Sequence, residues 1–181
     1  MKTQYIPSVA ALLTVALLTG GCQSENNDVA PATTPASIAQ KGVSARINNQ
    51  VWQSATEQTA TTKNYYAVRG GINPNELTII GFGAFASVSN AAKTDRITLF
   101  LTSVAGPGTY PLLAGSQAIY TATTGALTNY ATDATRTGTV TVTKYDLTNG
   151  LVSGTFAFTA VSGSATVSVT DGQFTDVPFG K

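Results

Sequence analysis

Acidic, tyrosyl and hydroxyl side chains are the groups of this chain that could carry out chemistry. The sequence contains no histidine and one cysteine, which excludes histidine-based triads, disulfides within the chain and thiolate zinc sites. Two carboxylates could hydrolyse a glycosidic bond if they met in a cleft at roughly 5 to 10 Å. The acids that could form such a pair are Glu57, Glu76, Asp95, Asp133, Asp146, Asp171 and Asp176. Most of them fall in predicted turns, so we predict no catalytic residue, no metal site and no cofactor.

The segment KYDLTNGLV, which contains Asp146, could be a metal loop or a hairpin. An EF-hand calcium loop needs a glycine at its sixth position, but the sixth residue counted from Asp146 is Leu151. Asn149-Gly150 lies between two alternating runs of valine, threonine and phenylalanine, which is a strong hairpin signal because both residues tolerate positive φ. We therefore predict a hairpin whose backbone donates to Asp146, and a second hairpin at Asp171-Gly172.

Several aromatic side chains could contact a ligand or could belong to the core. Trp52, the single tryptophan, could stack on a sugar, but we predict a core anchor whose indole N–H bonds to backbone. Tyr65 and Tyr66 are adjacent, so in a strand they face opposite sides. The outward one could contact carbohydrate or form a cross-strand pair. Tyr110, in the segment GPGTYPL, is predicted to close one end of the fold.

The segment GFGAFAS is rich in glycine but does not open a helix, so it is not a phosphate-binding loop. Gly81 and Gly83 are predicted instead to allow bulges or close packing of sheets.

The N-terminal segment MKTQYIPSVAALLTVALLTGGC has the order of parts found in a secretory leader. Lys2 provides the positive charge, Ile6–Leu18 is apolar, and the small residues Gly20 and Gly21 precede Cys22. The apolar run is shorter than the ~18 residues of a membrane span. The segment resembles the bacterial lipoprotein signal, which implies cleavage before Cys22, a diacylglyceryl group on its thiol and, in many cases, acylation such as palmitoylation of its amino group. The alternative is a plain secretory signal with an incidental cysteine.

The residues after Cys22 are polar, contain Pro31 and Pro35, and are predicted to form a disordered tether. Glu25 and Asp28 resemble the acidic signals that direct some lipoproteins of Bacteroidota-type bacteria to the outer face of the outer membrane, although an ordinary linker would look the same. We expect a lipid-anchored protein of the cell envelope, in the outer membrane. The sequence does not decide between the periplasmic face and the cell-surface face of that membrane. Three parts are predicted: signal peptide 1–21, lipidated cysteine and linker 22–41, and one β-domain 42–181.

The pattern of the third part is that of strands. Charged residues make up 10% of the chain against roughly 25% in typical domains, and a net charge of +1 offers no footprint for nucleic acid. Apolar residues alternate in RITLFLTS and GTVTVTKY, so Ile97, Leu99 and Leu101 should share one face. Many short strands separated by turns favour an antiparallel β-sandwich. The alternative is a lipocalin-like β-barrel, because closure also removes exposed sheet edges.

Several segments also resemble an uncharacterised family of small lipoprotein domains from Bacteroidota-type bacteria. They are SARINNQVWQS, GPGTYPL, GTVTVTKYD, VSGTFAFTA and VSVTDGQFTDVP, and the resemblance covers nearly all of Val43 to Pro178. It implies a domain type but provides no activity and no site residue. We expect a non-catalytic binding module whose partner is a cell-surface glycan or an envelope protein. The alternatives are a glycosidase that uses two carboxylates and a carrier of an apolar small molecule.

Overall fold

The computed structural model describes residues 40–54, 63–70, 75–85, 95–113, 115–123 and 125–179. The chain divides into two compact units, Met1–Ala36 and Ser37–Lys181, and every described residue lies in the second. The predicted signal peptide, Cys22, most of the linker and Glu57 lie outside the described residues. None of the described residues belongs to a helix with the length and apolar character that crossing a membrane requires.

The described residues form eleven strands, all paired antiparallel. In chain order they are β1 (Gly42–Ile47), β2 (Gln50–Ser54), β3 (Tyr65–Arg69), β4 (Leu77–Phe85), β5 (Asp95–Leu101), β6 (Gly108–Pro111), β7 (Gln117–Ala122), β8 (Thr128–Ala131), β9 (Gly138–Asp146), β10 (Leu151–Ser162) and β11 (Ala165–Pro178). Alternating burial follows the alternating sequence, since side chains on successive strand residues point to opposite faces. The predicted shared face of Ile97, Leu99 and Leu101 is confirmed, because each is at most 1% exposed.

The sheet closes on itself into an eight-stranded barrel. The predicted β-sandwich is therefore wrong, and the alternative of a lipocalin-like barrel is confirmed. The strand order is β11-β1-β2-β4-β5-β7-β8-β10, and pairing of β10 with β11 completes the ring. Alternation could not separate the two architectures, because both place every second residue inward.

Three strands lie outside the ring of eight. β3 pairs with β4, β9 pairs with β10, and β6 pairs with β9. One edge of β4 pairs with two strands. The first part of this edge, Leu77 to Gly81, pairs with Arg69 to Tyr65 of β3, and further along Gly83 pairs with Ser54 of β2. The other edge of β3, which faces away from β4, therefore pairs with no strand of the ring.

Glycine at two positions of β4 allows a close approach of other strands of the ring. A Cβ atom at Gly81 would lie 2.7 Å from Cβ of Val43, and one at Gly83 would lie 2.7 Å from the backbone nitrogen of Ser54. Both distances are too short for a side chain, so β1 and β2 can reach β4 only because these positions are glycine. The predicted role of Gly81 and Gly83 in close packing is confirmed.

The predicted hairpin at Asp171-Gly172 is wrong, because β11 runs without a break from Ala165 to Pro178. Asp171 does have a positive φ of 50°, but it lies where the register with β10 shifts, between the pairs Phe156–Gly172 and Phe158–Val169. The extra residue forms a β-bulge, which bends and twists a long strand. The same local signal therefore produces curvature of the barrel rather than a chain reversal.

Candidate functional site

The predicted hairpin at Asn149-Gly150 is confirmed, with Gly150 at a φ of 67° between β9 and β10. Oδ1 of Asp146 accepts hydrogen bonds from the backbone N–H groups of Thr148 at 3.1 Å and Asn149 at 2.9 Å. Oδ2 accepts a third, from Nδ2 of Asn149, at 2.7 Å. These bonds, that of the Asn149 side chain foremost, lower the pKa of Asp146. The carboxylate of Asp146 thus accepts hydrogen bonds from the turn itself and stabilises the hairpin.

Three further acids of the predicted set are also held in local contacts. Asp133 accepts from the backbone N–H groups of Thr135 and Arg136, and these bonds, that from Arg136 foremost, lower its pKa to about 2. Asp171 pairs with Arg46 at 3.3 Å, and Asp176 with Lys144 at 3.0 Å. Within the described part of the chain, no three acidic or cysteine side chains are grouped as a metal site would require.

Asp95 differs from the other acids because it is buried, with 3% exposure. Tyr120 donates its hydroxyl to Oδ2 at 2.5 Å, while the backbone N–H and hydroxyl of Thr123 donate to Oδ1 at 2.8 and 2.9 Å. Burial, reinforced by the hydrogen bond to Asp95, raises the pKa of Tyr120. The hydrogen bonds of the Asp95 carboxyl group thus join the start of β5 to the end of β7. Its inward direction has a signal in the sequence, since Asp95 stands two residues before Ile97 on the same alternating face.

The aromatic residues divide between core and surface. Trp52 is fully buried, which confirms the core anchor, but the predicted bond from its indole N–H is wrong, because Nε1 has no partner among the described groups. Tyr110 packs against the core and donates to the carbonyl of Gly106 at 2.5 Å, in keeping with its predicted structural role. Tyr65 is buried and Tyr66 faces outward, as adjacency predicted, and the ring of Tyr66 stacks on Phe82 with centroids 6.4 Å apart.

Tyr66 lines a cleft that we call the β3 cleft, with a volume of about 550 Å³. It forms where the second edge of β3 meets the end of the chain, through a parallel bridge between Ala67 and Phe179. The other lining residues are Lys63, Val68, Arg69 and Pro178. Phe179, which lines the cleft, is held by two contacts. Its N–H donates to the carbonyl of Gly150 at 2.9 Å, and its ring stacks on the ring of Tyr145.

The two cationic side chains of the β3 cleft stand at opposite ends of β3. Lys63 and Arg69 are exposed, and neither forms an ion pair within the described residues. Tyr66 and Val68 lie between them in the sequence and point outward, to the side of the strand opposite to that of Arg69, and Val68 is 47% exposed. The cleft therefore combines an aromatic ring, an aliphatic side chain and two cations, which is a surface suited to an anionic ligand with apolar faces.

A second cleft, of about 480 Å³, lies between β5 and the chain around β7 and β8. Its floor includes Phe100, Leu112 and Leu113, and its polar side chains already have partners in the protein. Ser116 contacts the hydroxyl of Thr102 at 3.1 Å, the side-chain amide of Gln117 donates to the carbonyl of Thr132, and Asp133 is held in its turn. Because these polar groups are engaged, the β3 cleft is the better candidate site.

Comparison with protein families gives a match for part of the chain. A family model described as "Domain of unknown function (DUF6252)" matches residues 84–178, more than half of the 181 residues. The matched stretch contains β5 to β11, and it includes Pro178 of the cleft but not Lys63–Arg69. No curated protein and no solved structure matches the chain.

Proposed function

Because this chain belongs to the DUF6252 family of domains of unknown function, its activity has to be argued from its own residues, and we propose a lipid-anchored binding module of the cell envelope. The barrel holds its ligand in the β3 cleft and performs no catalysis. The leader that ends in Gly20, Gly21 and Cys22 supports the anchor. Two or three acyl chains at about 0.8 kcal/mol per buried methylene would hold the protein firmly in a membrane.

The observation that carries the binding function is the pair of cations in the β3 cleft, Lys63 and Arg69, which no described carboxylate neutralises. Elsewhere in the described barrel, Arg46, Arg136 and Lys144 each have an acidic partner, whereas Lys41 and Arg96 form no ion pair and do not line this cleft. Cations that have no ion pair among the described residues, beside a partly exposed aromatic ring, are available to a ligand. The partner classes that fit an envelope protein are a cell-surface glycan and another envelope protein.

The placement of the acids supports a binding module over a glycosidase. A glycosidase needs an acid and a base that face one bond of the substrate across a cleft. Asp133 and Asp146 are each held by backbone N–H groups of their own turn, and Asp95 is buried in its bonds to Tyr120 and Thr123. None of these acids lines the β3 cleft.

The packing of the interior supports a surface site over an apolar carrier. Trp52, Phe174, Leu77 and Ile79 are at most 1% exposed and belong to one hydrophobic core cluster. Eight-stranded barrels have an interior that side chains can fill or that can hold one small ligand. Here large side chains take that space.

The proposed function has one test for the anchor and one for the site. Cells that make the wild type or Cys22→Ser are fractionated after protease treatment of intact cells. The wild type should be in the membrane fraction and Cys22→Ser in the soluble fraction, whereas equal membrane binding of both would contradict the lipid anchor. Shaving of the wild type would place the barrel outside the cell, and protection would place it in the periplasm.

For the site, the full-length protein in detergent is screened against arrays of glycans and of purified envelope proteins. A ligand of the β3 cleft should lose binding to Tyr66→Ala and Arg69→Ala. The matched control is Leu113→Ala, an exposed residue of the second cleft, which should bind as the wild type does. A ligand that responds only to Leu113→Ala would move the site to the second cleft and contradict the proposal.

A further inference from the structure

We infer that the β3 cleft binds an acidic polysaccharide, a chain of sugars with recurring carboxylate or sulfate groups, which lies along β3 and contacts Lys63 and Arg69 together. This inference rests on the proposed function, because it names the ligand class of the same cleft. Three features of the cleft lead to it: the distance between the cations, the state of the β3 edge, and the absence of a described ion pair at either cation.

The spacing of the two cations along the chain favours a long ligand. Lys63 and Arg69 are six residues apart, in a segment that bends at Asn64 before β3 begins at Tyr65, and at about 3.3 Å per residue their backbones are separated by at most about 20 Å. A ligand whose acidic groups are spaced along a chain can contact both cations at once. Tyr66 and Val68, which also line the cleft, lie between the two cations in the sequence and point to the side of the strand opposite to that of Arg69.

The edge of β3 argues against an extended peptide as this ligand. On either side of β3, the N–H of Phe82 donates to the carbonyl of Asn64, and the N–H of Gly70 donates to the carbonyl of Glu76. Backbone N–H and C=O groups alternate in direction along a strand, so those of the even-numbered residues Tyr66 and Val68 point toward β4. The backbone groups of Ala67 then face the cleft side, where the parallel bridge to Phe179 occupies the middle of the edge. A peptide that added to this edge as a strand would have to break that bridge.

A polysaccharide needs no backbone pairing. A sugar ring can pack its C–H face on an aromatic ring, and Tyr66 is half-exposed beside the bridge. An acidic group on a neighbouring sugar can form a bidentate hydrogen-bonded pair with the guanidinium of Arg69. Glu76, the acidic residue just before β4, forms no ion pair with Arg69 in the part of the chain that the structure describes, which leaves the guanidinium to a ligand.

The inference is tested by the dependence of affinity on ligand length. The full-length protein in detergent is titrated calorimetrically with galacturonic acid oligomers of increasing length, and with neutral galactose oligomers of the same lengths. Affinity for the acidic series should rise by roughly 100-fold once an oligomer spans both cations, and should then level off, because the second contact is intramolecular. Binding should weaken as salt is raised. Sulfated oligomers of matched length then show which acidic group is preferred.

Single substitutions separate this model from a structural effect. Lys63→Ala and Arg69→Ala should each abolish the rise with length while leaving the weak affinity for short oligomers, and Arg69→Lys should retain part of the rise. Arg46→Ala removes one exposed cation outside the cleft and should leave the whole length series unchanged. All variants alter exposed side chains, and their folding is checked by circular dichroism.

Several outcomes would overturn the inference. Equal affinity for neutral and acidic oligomers would remove the role of charge, and affinity without a rise would show that the two cations are not bridged. Tighter binding of a glutamate-rich peptide would make the ligand a protein. If a partner found in the screens depends on Tyr66 and Arg69 but is not acidic, this inference fails and the proposed function stands. If acidic oligomers bind regardless of the cleft variants, both fail.

Discussion

Tyr120 of β7 donates its hydroxyl to the buried carboxyl group of Asp95 of β5 at 2.5 Å, and this bond joins neighbouring strands near one end of the barrel. Thr123 donates twice to the same carboxyl group from the chain just after β7. All three donors point at one acceptor in the protein interior. An acceptor shared in this way becomes costly to lose, because its donors would remain buried without partners.

Asp95→Asn should therefore destabilise the fold by about 2 to 4 kcal/mol. The substitution replaces one accepting oxygen with an NH₂ group, which is itself a donor and faces the hydroxyl or N–H donors of Tyr120 and Thr123. Urea unfolding followed by circular dichroism measures the change. The control is Asp171→Asn, an acid whose side chain is 71% exposed, for which we expect a change within about 0.5 kcal/mol. Equal effects at the two positions would show that the buried contacts of Asp95 do not stabilise the fold.

Alkaline pH should destabilise the protein through Tyr120. Burial and the bond to Asp95 raise the pKa of Tyr120 above its ordinary value of 10.0, so above pH 10 the unfolded chain releases a proton that the folded chain keeps. The folded state then binds more protons, and the free energy of unfolding falls as pH rises, by up to about 1.4 kcal/mol per pH unit for this group.

Unfolding by urea at several pH values between 9 and 11 (roughly one unit on each side of a normal tyrosine pKa) measures this slope. Tyr120→Phe should be less stable at neutral pH but should have a shallower alkaline slope. Tyr66→Phe is the control, and its slope should match that of the wild type. A Tyr120→Phe slope equal to the wild-type slope would mean that another group causes the alkaline loss.

Acid should weaken the turn that Asp133 holds. The N–H groups of Arg136 and Thr135 lower the pKa of this exposed carboxyl from 3.8 to about 2. Its stabilising effect is thus complete above pH 3.8 and is lost as the pH falls through about 2. Comparison of melting temperatures of the wild type and Asp133→Asn along a pH series checks this, since the gap between them should narrow at the acid end. A gap that stays constant would contradict the assignment.

Closure of the barrel should depend on the absence of a side chain at Gly81. Gly81→Ala would place a Cβ atom 2.7 Å from Cβ of Val43, so one of the strands β1 and β4 must move, at a cost of about 1 to 3 kcal/mol. Val43→Ala also destabilises by removing a buried side chain, but the double variant should be more stable than the sum of the two effects predicts. Chemical denaturation of all four proteins gives the coupling energy, and a coupling near zero would mean that the two residues do not limit the approach.

Local patterns in the sequence were sufficient for the strands and for most of their faces. The alternation of Ile97, Leu99 and Leu101 predicted an inward row, and Asn149-Gly150 predicted a chain reversal, because burial period and φ preference are properties of short segments. At Asp171-Gly172 the same preference for positive φ produced a bulge within β11. A residue's φ preference does not determine whether the next segment reverses direction or continues.

Closure into a barrel, the buried environment of Asp95 and the β3 cleft were decided only by the tertiary structure. Closure depends on contacts between distant segments, such as Ser54 with Gly83 and Val161 with Ala131, and alternation is the same with or without them. The cleft likewise exists because the bridge between Ala67 and Phe179 brings β3 to the end of the chain. Side-chain type and spacing are encoded locally, whereas the neighbours that each side chain meets depend on pairings between residues far apart in the sequence.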